Sequence, residues 1–178
     1  DLTWCIGPPL RVTFGRLLGE ARAEAGVALY RENYRNGAMY EADVYPGIPA
    51  ALHALQDQGH RLVVVTAKPH VFARPIVERL GLALHLDAVY GPELDGTHDD
   101  KADLLAHVLA AERLTPEHAV MVGDRKFDIL AAQRNGVRGI GITWGYGAPA
   151  ELLEAGATDL CEAPAHLPRL LAALPPAT

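Results

Sequence analysis

Residues 120–132 read VMVGDRKFDILAA. Val120, Met121 and Val122 have the length and hydrophobicity of a short buried strand, and Gly123 at its end gives the chain room to turn. Asp124 stands at the strand exit and Asp128 one helical turn later, so both carboxylates can face one point in space. Two acids converging at the end of a parallel strand suit a hard cation such as Mg2+, which takes one or two carboxylates plus water and substrate phosphate. A helix N-cap followed by an acid that favours the helix dipole has the same pattern. The surroundings therefore decide the role of the pair.

On both sides of this stretch, strands alternate with helices. The apolar run Arg61–Thr66 is expected to be a parallel strand buried on both faces. Further strands are expected at 87–90, 119–122, 138–143 and, as a short edge, 158–161. Helices are expected at 49–58, 69–80, 101–112, 127–135, 149–155 and 165–173, several closed by Gly. This rhythm means βαβ units, hence an α/β fold with a doubly wound parallel sheet whose ligands bind at the carboxyl ends of the strands. The first forty residues differ. Leu10–Leu18 places Leu10, Phe14, Leu17 and Leu18 on one helical face, and a second helix is expected at 21–39. Residues 1–43 thus read as a small helical unit and 44–178 as the α/β core.

Composition narrows the partners. The chain has 178 residues and a net charge of −6, so no basic surface invites nucleic acid. No apolar run approaches the roughly 18 residues of a membrane span. Cys5 and Cys161 are far apart and read as free buried thiols of a cytoplasmic protein. A monomer or homodimer is expected. The eight histidines show no metal-ligand spacing. Residues 175–178, PPAT, read as a frayed tail.

Two further polar features fall at strand ends. Thr66-Ala67-Lys68-Pro69 follows the valine run, and its hydroxyl and backbone amides can hold an anion, or Thr66 can simply cap a helix. Lys101 opens a helix against the dipole, beside Asp99 and Asp100, either to meet a phosphate or as a solvated lysine. Clamp, ammonium and metal site together equip a chain to stabilise a phosphoryl group in transfer.

The order Thr66, Lys101, Gly123-Asp124…Asp128 on this alternation resembles the haloacid dehalogenase-like (HAD) phosphatase superfamily, from about Tyr45 to Gly147 and more loosely over the whole chain. VYPGI (44–48), VVTAKP (64–69), GDRKFDI (123–129) and GITWGYG (141–147) look like its phosphoglycolate phosphatase and 5′-nucleotidase-like subgroup. The resemblance implies a Rossmann-like core with an α-helical cap at 1–43. It also implies a Mg2+-dependent phosphomonoester hydrolase acting through an aspartyl-phosphate on a small phosphorylated metabolite, phosphoglycolate or a nucleoside monophosphate. Thr66 and the Ala67 amide would hold phosphoryl oxygens, Lys101 would neutralise charge, and Asp124 and Asp128 would serve the metal. Lys68, Arg11 and Arg125 are candidate substrate contacts. The alternatives are a non-catalytic binder of phosphorylated ligands and a sugar-phosphate mutase.

One family motif is not matched. The nucleophile motif DxDGT would precede the cap, and neither Asp1-Leu2-Thr3-Trp4 nor Leu94-Asp95-Gly96-Thr97 fits it. Its strand would lie between those at 61–66 and 119–122, which otherwise expose unpaired backbone along an apolar edge. The expectation is that a segment of about 20–35 residues, a strand and a helical connection, precedes Asp1.

Overall fold

Gly19, at φ 81°, alone separates the first two helices of the computed structural model, which describes residues 2–174: α1 (Leu10–Leu18) and α2 (Glu20–Arg35). They pack closely because Gly26 lies where a Cβ would come within 2.8 Å of Phe14 and Leu18. Thr13 and Gly15 are the buried residues of α1, whereas Leu17 is 50% exposed, so the expected four-residue apolar face is only partly used. The second helix also ends sooner than expected. Asn36 caps it, Gly37 turns at φ 138°, and a 3-10 turn over Ala38–Tyr40 buries Met39.

The remaining elements follow the expected order: α3 (Ile48–Asp57), β1 (Val63–Val65), α4 (His70–Arg79), β2 (Ala88–Tyr90), α5 (Lys101–Glu112), β3 (Val120–Gly123), α6 (Lys126–Arg134), β4 (Arg138–Ile142), α7 (Pro149–Glu154), β5 (Asp159–Cys161) and α8 (Leu167–Ala172). All strand pairs are parallel, giving the α/β class. Residues 175–178, expected to fray, lie outside the described residues. Cys161 is buried as expected, but Cys5 is half-buried; both are free thiols.

The strands form two ladders, β1-β2 and β3-β4-β5. Val63 stands opposite Ala88, Val122 opposite Ile140, and Ile140 opposite Asp159. Among the described residues no strand pairing joins the ladders, yet the same two apolar clusters cover both. On one face Val65 packs with Met121 against Leu105 and Leu109 of α5 and Ala131 and Ala132 of α6. On the other, Leu62 and Val122 pack with Leu55 of α3 and Leu167 of α8. β1 and β3 thus share their apolar cover without pairing with each other.

This corrects one expectation. The valines of β1 are half-buried, not buried on both faces, and the strand has three residues rather than six. A strand paired on one side only has half its backbone groups to satisfy elsewhere. Asp87 holds its start, donating its amide to the Leu62 carbonyl and accepting the Leu62 amide on its carboxylate, both at 2.7 Å.

Candidate active site

Lys101 and Asp128 are the tightest part of the site. Asp100 caps α5, its Oδ1 accepting the amides of Ala102 at 2.8 Å and Asp103 at 3.2 Å. That fixes Lys101 at the first helical position, and its Nζ reaches Asp128 Oδ1 at 2.5 Å, with side chains only 15% and 8% exposed. Asp128 sits in the first turn of α6, and its Oδ2 accepts the Arg125 amide at 3.1 Å. Gly123 admits it, since a Cβ there would overlap the Asp128 carboxylate. Both oxygens of Asp128 are therefore engaged by the chain itself.

Asp124, just past β3, is held differently. Its Oδ2 accepts the Tyr146 amide at 2.8 Å. Gly145 and Gly147 make this approach possible, because a Cβ at Gly145 would overlap the Asp124 side chain and one at Gly147 its carbonyl oxygen. Backbone cannot swing aside as a side chain can. Gly147→Ala is expected to cost about 1–3 kcal/mol of stability, the usual penalty of overpacking. Denaturant unfolding checks this, and an unchanged midpoint would mean the loop yields freely. Tyr146 itself is 60% exposed, while Trp144 packs into the α3/α8 cluster.

Thr66 follows β1 at its carboxyl end, where its hydroxyl accepts the Lys68 amide at 3.1 Å. It caps no helix: Pro69 occupies that position of α4 and makes no side-chain cap. Gly91 lets the turn lie flat, since a Cβ there would overlap the Lys68 carbonyl. The Lys68 ammonium donates to the Tyr34 hydroxyl and lies 4.2 Å from that ring's centroid. Tyr34 stacks on Tyr30 with centroids 5.5 Å apart and meets Phe72 of α4 edge-on at 5.8 Å. An aromatic row thus seats α2 beside the Thr66–Pro69 turn.

Arg11 and Arg31 reach the core from the same helical pair. Arg11 pairs with Asp99 at 2.9 Å and Glu24 at 2.5 Å and donates to the Leu94 carbonyl at 3.1 Å. Arg31 Nη1 donates to the same carbonyl at 2.8 Å. Arg125 has other duties: its guanidinium pairs with Glu151 at 2.9 Å and donates to the Ile6 carbonyl, tying α7 and the N-terminal segment to the start of α6. Glu151 is held below the usual carboxylate range by Arg125 and the Lys126 amide, against the opposing effect of its burial. Lys126 is exposed.

Tyr34 and Arg31 were not singled out in the sequence. The signal was available: both follow the buried Val27 on one face of α2, Arg31 four residues on and Tyr34 seven.

A family model described as haloacid dehalogenase-like hydrolase matches residues 1–142. The chain belongs to this family. It is 45% identical over 168 residues to a 5′-nucleotidase of Pseudomonas aeruginosa, covering 93% of the chain and 76% of that protein. A phosphoglycolate phosphatase of the same organism is 32% identical over 142 residues, covering 79% of the chain and 52% of that protein. The tyrosine-protein kinase PtkA of Mycobacterium tuberculosis is 36% identical over 173 residues, covering 97% of the chain and 59% of the kinase. Among solved structures, a predicted phosphatase from Clostridium acetobutylicum superposes with TM-score 0.93 at 35% identity, covering 97% of the chain and 81% of that one. These likenesses agree with the family, fold and phosphatase class expected from the sequence. No helix among the described residues is long and apolar enough to cross a membrane.

Proposed function

We propose that this HAD-family protein is a Mg2+-dependent phosphomonoester hydrolase that acts on a small phosphorylated metabolite through an aspartyl-phosphate. The Lys101–Asp128 pair, buried beside the turn that carries Asp124, supports this reading most directly. The helical pair at 1–43 acts as the cap, and the nucleophilic aspartate arrives on a strand seated between β1 and β3.

The donor set fits a divalent cation. Asp124 Oδ2 is fixed by the Tyr146 amide, and among the described residues no donor engages Oδ1. Asp128 has both oxygens engaged. Asp124 would therefore hold the cation directly, while Asp128 positions Lys101 and orients metal-bound water. When bound, Mg2+ supplies positive charge against the phosphoryl oxygens. The other work belongs to the chain. The Thr66 hydroxyl and Ala67 amide hold two phosphoryl oxygens, and the Lys101 ammonium offsets the charge that gathers as the attacking carboxylate forms its bond to phosphorus. The ester oxygen leaves, and water then cleaves the acyl phosphate. The cap keeps bulk water out meanwhile.

A phosphate-release screen of the full-length protein with Mg2+ or with chelator tests the reading. Release should require the metal. Isomerisation of a sugar phosphate without release would instead identify a mutase. In the same assay Asp124→Asn should raise the Mg2+ concentration for half-maximal rate at least tenfold, because one anionic ligand is lost. An unchanged Mg2+ requirement would refute the ligand assignment.

A further inference from the structure

The helical pair is seated on the core at two places. One lies on α4 and the loop after β2, where Phe72 meets Tyr34 edge-on at 5.8 Å and Asp99 pairs with Arg11 at 2.9 Å. The other lies on α6, which follows β3, and uses the segment ahead of α1. There the Arg125 guanidinium donates to the Ile6 carbonyl. Gly7, at φ 111°, lies so near the Phe127 ring that a Cβ would come within 2.6 Å of it. A body held at the first seat alone can pivot; the second seat fixes its orientation. The segment and α1 also move together. Pro8 and Pro9 fix their own φ angles and join Gly7 to α1 as a stiff strut, with Pro9 at φ −54°, ψ 143° directly before Leu10. Arg16, in the last turn of α1, lies 4.3 Å from the centroid of the Trp4 ring and ties the segment back to the helix. A bond at Ile6 therefore acts on the orientation of the whole pair.

Arg125 is placed to make and release that bond. Glu151 Oε1 accepts Arg125 Nε at 2.9 Å and the Lys126 amide at 3.0 Å, so the guanidinium is anchored from the core side. It keeps its place when the helical pair lifts. The Ile6 carbonyl is a neutral acceptor and leaves without stranding a counter-ion. A hydrogen bond from a charged donor shifts an equilibrium about ten- to a hundredfold, enough to hold the pair down and little enough to yield at each turnover. The Arg125 amide meanwhile donates to Asp128 Oδ2 at 3.1 Å, so this contact springs from the same turn as Asp124 and Asp128.

We infer that Arg125 is a positioning residue: through the Ile6 carbonyl it latches the helical pair onto the β3 side of the core, with Gly7 on Phe127 as the surface on which the latch closes. Its effect on turnover rests on the phosphatase reading above; the latch itself is tested without it.

The test uses the full-length protein and the two thiols of this chain. Cys5 adjoins Ile6 and is half-buried, while Cys161 is buried with Leu55 and Leu167 and serves as the control. Iodoacetamide labelling of each, located by mass spectrometry, separates local release from general loosening. Arg125→Met should speed the labelling of Cys5 about tenfold and leave Cys161 unchanged, and Arg125→Lys should recover part of the protection. Gly7→Ala, which crowds the same contact from the other side, should act likewise. The double variant should label Cys5 no faster than the faster single one, because both changes break one contact. With p-nitrophenyl phosphate, Arg125→Met should lower kcat/KM about tenfold or more, while the Mg2+ concentration for half-maximal rate stays within about twofold. Unchanged labelling of Cys5, equal acceleration of both thiols, or multiplied effects in the double variant would overturn the latch. Full kcat/KM with Cys5 released would remove its part in turnover, and a raised Mg2+ requirement would assign Arg125 to the metal turn instead. If the unaltered protein releases no phosphate, the phosphatase reading fails, and the thiol comparison alone decides the latch.

Discussion

Lys101→Met is expected to lower turnover of the full-length protein about a thousandfold, the loss typical of a fixed electrostatic donor in a water-poor site. The ammonium is 2.5 Å from Asp128 and only 15% exposed, so bulk water cannot replace it. The same substitution strips a buried carboxylate of its partner, which costs about 3–5 kcal/mol when one member of such a pair is removed. Loss of rate and loss of stability must therefore be separated. Adding Asp128→Asn removes the stranded charge and should recover most of the stability. It should not recover the rate, because the ammonium that offsets the charge of the attacking carboxylate is still missing. Rate recovery in the double variant would make the pair a scaffold only, and a fall of less than about tenfold in Lys101→Met would count against the role altogether.

Lys101 also shows what the sequence could and could not convey. The helix 101–112 has its expected limits because local signals set them: Asp100 caps its start, and Arg113, at φ 56°, turns left-handed after its end. The βα alternation was legible for the same reason, since buried apolar runs and helix-stopping glycines act within a few residues. Where the reading slipped, distant partners decided. The run 61–66 has the composition of a central strand, but β1 has one neighbour and keeps only three residues in a ladder. The second helix ends at Arg35 because Met39 is buried by a separate turn. In the site, Thr66, Lys101, Asp124 and Asp128 stood out by their spacing from strand ends. That both oxygens of Asp128 are taken, and that Arg31 faces the core, depends on contacts up to 63 residues away, which no local pattern encodes.

The 178 residues alone are expected to release no phosphate from p-nitrophenyl phosphate, whereas the full-length protein should. The argument is one of backbone alternation. The Thr66 amide donates to the Tyr90 carbonyl, and the Leu62 carbonyl accepts from Asp87, so even-numbered residues of this run face β2. With a two-residue period, the amides and carbonyls of Val63 and Val65 face the other way, toward the position proposed for the added strand. The apolar clusters on its two faces already span that position, with Val65 and Met121 on one and Leu62 and Val122 on the other. A parallel strand laid there would satisfy both edges and end level with Thr66 and Asp124, where an aspartate on it would face Lys101. Hydrogen exchange tests the seating apart from the chemistry. The Val63 and Val65 amides should exchange freely in the 178 residues alone and be protected in the full-length protein, while the Thr66 amide, already bonded to Tyr90, changes little. Phosphate release by the 178 residues alone would mean that the nucleophile lies among them, and protection of Val63 and Val65 in that chain would mean that the position between β1 and β3 is already closed.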